Sequence, residues 1–242
     1  HILPGVYHNT GPQIRKAVAD LQRIFDAEGI PLTLLTGADN HIVPDFVQGL
    51  RSGHLLSLND TRYVLVEPPH NIAPARLDEL VFSILLADYV PVITHPERLK
   101  WIEDRYELIL KMARAGAWMQ ITSGSYKGRF GRRPKYWAER MTCEGLAHIL
   151  ASDAHDTTSR PPDLGEGRHA AELLVGALEA ERMVSGRPRD MMLNKVAGEC
   201  APIEMEQCDD ARLHEKAGAR EKHHHPRRSS TVSGWMQRLF RR

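Results

Sequence analysis

Apolar and polar residues alternate along the first four fifths of the chain in blocks of two kinds. Short, nearly continuous apolar runs predict strands that are covered on both faces. Longer stretches with apolar residues at helical spacing predict helices. The predicted strands are 31–36 (PLTLLT), 62–67 (RYVLVE), 90–94 (VPVIT), 117–122 (AWMQIT) and 147–152 (AHILAS). The predicted helices are 11–28, 75–87, 106–115, 135–144, about 165–185 and 188–196. This alternation predicts a largely parallel sheet, either an α/β barrel or a doubly wound sheet.

Polar residues follow four of the predicted strands at the point where each strand ends. The segments are 37–41 (GADNH), 67–70 (EPPH), 95–98 (HPER) and 153–156 (DAHD). In both candidate architectures the carboxyl ends of the strands meet at one rim, where reactive residues gather. Four strands are therefore expected to deliver a carboxylate, a histidine or both to the same edge of the sheet.

Three of these segments offer candidate metal or phosphate ligands. Asp153 and His155 stand two residues apart after a strand, so an extended backbone directs both to one side. The competing interpretation is a solvated loop. His95 and Arg98 follow another strand and offer an imidazole ligand and a planar set of donors for phosphate, although the same segment also fits a helix start. Asp39 fits either a carboxylate that bridges two cations or a helix cap.

Composition narrows the chemistry. The 242 residues include 32 basic and 31 acidic side chains, so nucleic-acid binding through bulk charge is not expected. There are 13 histidines, and imidazole is a common metal ligand near neutral pH. The three cysteines form no C-x-x-C pair, which favours a reducing, cytoplasmic location over a disulfide framework. No apolar run approaches the ~18 residues of a membrane-spanning helix.

Motifs of several other hydrolases are missing from the sequence. A cysteine-dependent phosphatase needs an arginine six positions after its cysteine, and the chain has Ile149, Glu206 and His214 there. There is no G-x-x-x-x-G-K-[ST] loop and no G-x-S-x-G elbow. Water activated by a metal is the remaining candidate nucleophile. The histidines interpreted as surface or loop residues without a functional partner are His8, His54, His70, His148 and His169.

The periodic pattern ends at about Gly198. Residues 199–221 are charged and aperiodic, and 223–230 (HHHPRRSS) are low in complexity. This composition predicts a phosphoesterase domain over 1–197 and a charged, disordered tail over 198–242. The last eight residues, WMQRLFRR, fit either an unstructured end or a short amphipathic helix at an anionic membrane surface.

Five motifs, in order, resemble the CpsB/YwqE-type phosphatases of the PHP (polymerase and histidinol phosphatase) superfamily. They are GADNH, LNDTRYVLVEPP, PVITHPERL, GRFG and ILASDAHDTTSRPP, and the resemblance covers about 3–196. It implies a distorted (β/α)7 barrel with a cluster of two or three divalent metal ions, manganese or iron. It also implies hydrolysis of phosphotyrosine on a bacterial tyrosine kinase that controls capsule or exopolysaccharide synthesis. That phosphorylated kinase is the implied partner, and the tail would serve for peripheral membrane contact.

The resemblance also assigns roles to individual positions. His1 matches the histidine of a Thr-Pro-His motif because the opening HILPG resembles the segment that follows the family's second strand. Asp39 takes the place of a bridging carboxylate that is usually Glu. The implied metal ligands are His1, Asp39, His95, Asp153 and His155, and the implied catalytic, phosphate-binding arginines are Arg98 and Arg160.

The chain departs from the family in its first motif. Neither Asp-x-His-x-His nor the Asp-Asp-Gly turn that follows it is in the sequence. We therefore expect an N-terminally truncated barrel without its first strand and helix. An alternative alignment treats His1 as the second histidine of that motif. Two other functions stay open: a phosphoesterase for histidinol phosphate or another small phosphomonoester, and an inactive remnant or kinase-binding module.

Overall fold

Five parallel strands form one sheet, in the order in which they occur along the chain. The computed structural model describes residues 1–3 and 5–204. The strands are β1 Asp39–His41, β2 Tyr63–Glu67, β3 Val90–Thr94, β4 Trp118–Thr122 and β5 Ala147–Ala151. Every residue of β3 and β4 is buried, as their continuous apolar character predicts.

Helices connect the strands, because neighbouring parallel strands need a crossover. The α-helices are α1 Gly11–Ala27, α2 Phe46–Arg51, α3 Leu77–Leu86, α4 Tyr106–Arg114, α5 Ser123–Tyr126, α6 Arg132–Cys143, α7 Gly165–Val175, α8 Ala177–Glu181 and α9 Arg187–Met192. A π-helical turn, Arg182–Gly186, joins α8 to α9, and short 3₁₀ turns occur at Leu58–Asp60, Pro96–Arg98 and Ala197–Glu199. Among the described residues, no helix combines the length and the apolar character needed to cross a membrane.

The helices pack through the apolar stripe that their sequences predict. In α4, for example, Tyr106, Ile109 and Met112 recur at helical spacing and are buried in the main core. Removing such side chains from water contributes about 1.5–3 kcal/mol each to folding. The predicted strand–helix alternation from 62 onward is therefore confirmed, and β3 begins and ends where predicted.

The predicted strand at 31–36 is wrong. This segment has no strand structure, and Leu32 and Leu35 are about half exposed. Its backbone is bonded to the side chain of Gln22 on α1, which accepts from the amide of Leu34 (2.7 Å) and donates to the carbonyl of Leu32 (3.1 Å). These polar groups therefore pair with a helix instead of a neighbouring strand.

The strand that takes its place, β1, is polar in sequence. Its middle residue, Asn40, is fully buried. The side-chain Nδ2 of Asn40 lies within hydrogen-bond distance of the carbonyls of Ala38 (3.0 Å), Leu56 (2.9 Å) and Leu65 (3.1 Å), to which it donates. These bonds satisfy a side chain that would otherwise be costly to bury, so the strand forms without an apolar pattern.

The predicted helix at 165–185 is two helices with a break between them. The break is at Gly176, whose φ of 84° lies in the left-handed region where glycine is favoured. The chain then re-enters helical structure as α8 and continues through the π-helical turn into α9.

The predicted tail begins with residues that pack on the domain. Residues 198–204 are described; Cys200 is buried, and the carbonyls of Ala201 and Pro202 accept hydrogen bonds from Arg187 (2.9 and 2.8 Å). Composition alone does not reveal this docking, because a single buried arginine on α9 provides the donors. The remainder, 205–242, including the possible amphipathic end, lies outside the described residues.

We expect Arg187→Met to destabilise the protein by about 3 kcal/mol, because the buried carboxylate of Glu179 loses its hydrogen-bonded cation and keeps only Arg182, whose Nη1 lies 3.8 Å away. Arg187 is 1% exposed, and its guanidinium donates to Glu179 (3.0 Å) and to the carbonyl of His148 (3.0 Å). Urea unfolding measures the change. Arg189→Met, on the exposed side of the same helix, is the matched control and is expected to change stability by less than about 0.5 kcal/mol. Equal losses in the two variants would contradict this interpretation.

Candidate metal centre

Two partly buried carboxylates, Asp39 and Glu67, and the buried His95 lie together at one end of the sheet. Glu67 is the last residue of β2, and His95 follows β3 directly. The Nε2 atom of His95 lies 3.5 Å from Glu67 Oε1 and 3.7 Å from Asp39 Oδ2. Asp39 is the first residue of β1 and not, as predicted, a residue beyond a strand end. Its side chain nevertheless reaches the same cluster.

His1 joins this cluster because the residue after it pairs with the sheet edge. The amide of Ile2 donates to the carbonyl of Asp39 (3.0 Å), and the amide of His41 donates to the carbonyl of Ile2 (2.9 Å). The parallel bridge places His1 Nδ1 at 3.1 Å from Glu67 Oε2 and 3.8 Å from Asp39 Oδ2.

Asp153 and His155 lie on the other side of His1. The Nε2 atoms of His1 and His155 are 3.4 Å apart. Asp153 Oδ2 accepts from Arg98 Nη1 (2.6 Å) and from Arg160 Nη2, whereas Asp153 Oδ1 faces His155 Nδ1 at 3.7 Å. One oxygen of Asp153 is therefore taken by the two arginines, and the other remains directed toward the histidines.

The ligand atoms form three adjoining groups. Within each group, the atoms all lie within 4.8 Å of one another. The groups are His1–Asp39–Glu67, Glu67–His70–His95 and His1–Asp153–His155. Because His1 and Glu67 are each shared by two groups, the three groups form one continuous cluster of possible metal ligands.

Burial and charge set unusual protonation states in this cluster. Burial raises the pKa of Asp39 to about 7, and the neighbouring charge of Glu67 adds to the effect. Burial also acts to raise the pKa of Glu67, but contacts with His1 and His70 outweigh it, so the pKa of Glu67 lies well below its usual range. Burial lowers the pKa of His95 to about 3, helped by the charge of Arg98.

These features fit a bound divalent cation. A neutral imidazole and ionised carboxylates are the forms that bind metals. His95 is held in its neutral form, and its buried Nδ1 has no hydrogen-bond partner among the described residues. Two neighbouring carboxylates that resist joint ionisation would be balanced by a cation between them.

Two strand-end residues of the cluster have strained backbones. His95 has φ 37° and Asp153 has φ 50°, both in the left-handed region. Such a conformation costs about 1–3 kcal/mol for a non-glycine residue and tends to occur at functional sites. Both side chains lie in the cluster: His95 faces Glu67 and Asp153 faces His155.

All five predicted ligands and both predicted arginines are brought together by the fold, and their individual roles stay predictions. Sequence reasoning placed Glu67 and His70 at the rim within 67–70, but it did not name either residue as a candidate ligand. The signal for Glu67 was present, because it ends an apolar strand in the same way that His95 follows one. The interpretation of His70 as a partnerless surface residue is wrong: its Nε2 lies 3.6 Å from Glu67 Oε1, and its ring packs against His95. It stands three residues beyond the strand, where no simple spacing rule identifies it.

The fold and the cluster define an α/β protein with a histidine–carboxylate centre suited to metal and a pair of arginines beside it. The family model described as "Capsular polysaccharide synthesis, CpsB/CapC" matches residues 1–193. The chain therefore belongs to the CpsB/CapC family.

Several relatives are named as phosphatases. The chain is 39% identical over 173 residues to tyrosine-protein phosphatase YwqE of Bacillus subtilis, covering 72% of this chain and 68% of YwqE. It is 31% identical over 161 residues to the putative tyrosine-protein phosphatase CapC of Staphylococcus aureus, covering 66% and 63%. It is 24% identical over 201 residues to tyrosine-protein phosphatase CpsB of Streptococcus pneumoniae, covering 81% and 83%.

The fold also matches a solved structure. It comes from the crystal structures of YwqE from Bacillus subtilis and CpsB from Streptococcus pneumoniae, described as unique metal-dependent tyrosine phosphatases. The TM-score is 0.77 at 33% identity, and the match covers 85% of this chain and 83% of the other. The described fold, a mixed α/β structure with a five-stranded parallel sheet, is thus shared with metal-dependent enzymes.

We expect Glu67→Gln to weaken Mn²⁺ binding by at least about tenfold, since it removes a charge that three imidazoles share. Calorimetric titration of the metal-free protein with Mn²⁺ measures the effect. Glu79→Gln is the matched control, because Glu79 is exposed on α3 and pairs only with Arg76 among the described residues. Unchanged Mn²⁺ affinity in Glu67→Gln would exclude Glu67 from the metal centre.

Proposed function

We propose that this chain is a metal-dependent protein-tyrosine phosphatase that acts in capsule or exopolysaccharide synthesis. One observation carries the proposal: a histidine–carboxylate cluster suited to several metal ions adjoins two arginines through the shared carboxylate of Asp153. The family and the names of its relatives support the same activity.

We infer that the fold is a PHP-type distorted (β/α)7 barrel, with the phosphoesterase domain spanning about 1–197. Support comes from the strand order, which runs β1 to β5 without a reversal in the described sheet. A doubly wound sheet reverses its order at a switch point, whereas a barrel adds strands in sequence. Ile2 pairs in parallel beside β1, at the position of a further strand.

Each of the proposed ligands offers either an imidazole nitrogen or a carboxylate oxygen. Such a mixed donor set suits manganese or iron, and manganese is the proposed metal. When bound, divalent cations lower the pKa of water and balance charge on phosphoryl oxygens. The proposed ligands are His1, Asp39, Glu67, His70, His95, Asp153 and His155.

The two arginines would receive the phosphoryl group. A guanidinium donates in a planar fork that matches two phosphoryl oxygens. Because Arg98 and Arg160 both donate to Asp153 Oδ2, the carboxylate fixes their distance from the histidines. Asp153 would thus serve both the metal centre and the phosphate site. Donors held in place before the reaction stabilise charge that develops during it.

The proposed substrate is a phosphotyrosine side chain on a cytoplasmic tyrosine kinase of polysaccharide export. A phosphorylated protein side chain needs an accessible site. His155, at one end of the cluster, has 37% of its side chain exposed, whereas His95 at the other end has 3%. We therefore propose that the substrate approaches from the His155 side.

We expect Asp153→Asn to lower kcat/KM for a phosphotyrosine peptide in Mn²⁺ by about 100-fold or more, because the arginines and the cluster lose the charge that joins them. Asp88→Asn is the matched control. It makes the same change at an exposed residue that also has a left-handed backbone, with φ 63°. Asp88 lies just before β3, at the end of that strand away from the cluster.

The same assay separates the rival functions. Wild-type protein is expected to prefer the phosphotyrosine peptide over histidinol phosphate, and a chelator is expected to abolish turnover. Greater kcat/KM for histidinol phosphate would favour a small-molecule phosphoesterase. Metal-loaded protein that binds the peptide without turnover would favour a binding module.

A further inference from the structure

An aromatic ring lies against both arginines. The guanidinium carbon of Arg98 lies over the ring of Phe130, 4.3 Å from its centroid, and that of Arg160 lies 5.8 Å away. A guanidinium donates hydrogen bonds in its own plane and stacks through its faces. Asp153 accepts from one in-plane nitrogen of each arginine, so the ring and the carboxylate constrain the arginines in different directions.

Phe130 is itself held by a well-bonded loop. The amide of Gly128 donates to the carbonyl of Ser125 (2.9 Å), and the amide of Arg129 donates to that of Gly124 (3.0 Å). The loop packs directly on Gly124 of α5: a Cβ atom there would lie 3.3 Å from the Phe130 ring and 3.2 Å from Arg129. The loop that carries the ring is therefore bonded to and packed on α5.

Arg98 and Arg160 need contacts besides Asp153 to stay in one orientation. Two cations that share one carboxylate oxygen repel each other, and a flexible arginine in water has many alternative rotamers. Asp153 provides only one negative charge for the two. An aromatic face attracts a cation through its quadrupole without supplying a competing hydrogen-bond acceptor. The in-plane donors that Asp153 leaves remain available to a phosphoryl group.

We propose that Phe130 is a positioning residue, whose ring holds Arg98 and Arg160 in the orientation that receives the phosphoryl oxygens. The inference rests on the proposed function, since it assumes that the arginines bind phosphate. It assigns to the GRFG segment a specific physical task that the metal ligands do not perform.

The test measures binding of inorganic phosphate to the Mn²⁺-loaded protein by calorimetry, beside KM and kcat for a phosphotyrosine peptide. Phe130→Leu is expected to weaken phosphate binding and raise KM by about five- to thirtyfold, the range of a partly desolvated cation–π contact. Phe130→Tyr keeps the ring and is expected to stay within about twofold of wild type. Mn²⁺ affinity is expected to be unchanged in both.

Phe82→Leu is the matched control, because it removes a ring that is 57% exposed on α3. It is expected to leave phosphate binding unchanged. If Phe130→Leu does not fold, Phe130→Met, which has similar bulk and no aromatic face, makes the same comparison. A double-mutant cycle with Arg98→Lys tests whether Phe130 acts through Arg98. The loss of phosphate affinity caused by the Phe130 substitution is expected to be smaller when Arg98 is already replaced.

Wild-type phosphate affinity in Phe130→Leu, with Arg98 intact, would overturn the inference. So would an equal loss in Phe130→Leu and Phe130→Tyr, because that pattern indicates packing and not the π face. The proposed function fails in a different way: wild-type protein would then leave the phosphotyrosine peptide intact, while the phosphate titrations still report on Phe130.

Discussion

The proximity of two partly buried carboxylates, Asp39 and Glu67, is the constraint on which the site depends. Parallel pairing of β1 with β2 sets their relative positions, and burial raises the pKa of Asp39 to about 7. Two like charges this close in a partly buried site are unfavourable by themselves. The side chains of His1, His70 and His95 surround the pair, and a divalent cation bound there would balance the two negative charges. The rest of the centre follows from this pair: His1 lies between the carboxylates and His155, and Asp153 links the histidines to the arginines.

The site requires two residues to adopt an unfavourable backbone conformation. His95 and Asp153 both hold left-handed backbone conformations immediately beyond the strands or near their ends. The strands β3 and β4 are buried along their whole length, and His95 directly follows β3. Arg98 and Arg160 extend this arrangement outward: a carboxylate engages their edges and an aromatic ring lies against their faces. The cluster is therefore buried at His95 and exposed at His155.

Sequence reasoning succeeded where burial leaves a strong pattern and failed where side-chain hydrogen bonds decide the structure. The all-apolar run at 90–94 predicts β3 to the residue, and the polar residues that follow strands predict where Asp153 and His95 gather. The strand β1 was missed because hydrogen bonds from the side-chain amide of Asn40, and not apolar residues, allow its burial. Residues 198–204 were missed because their docking depends on Arg187, which lies on a different element. His70 was not named as a candidate ligand because its proximity to Glu67 arises only from the turn that follows β2.

We propose that this chain assembles a multi-metal centre from residues on β1 and β2 and from the segments that follow β2, β3 and β5, together with His1. The most direct test is the amount of Mn²⁺ bound per chain, measured by calorimetry together with electron paramagnetic resonance of the loaded protein. The account predicts more than one Mn²⁺ per chain, with a spectrum broadened by coupling between neighbouring ions, and loss of that coupling in His95→Ala. Binding of no Mn²⁺, or of a single uncoupled ion that His95→Ala leaves in place, would contradict it.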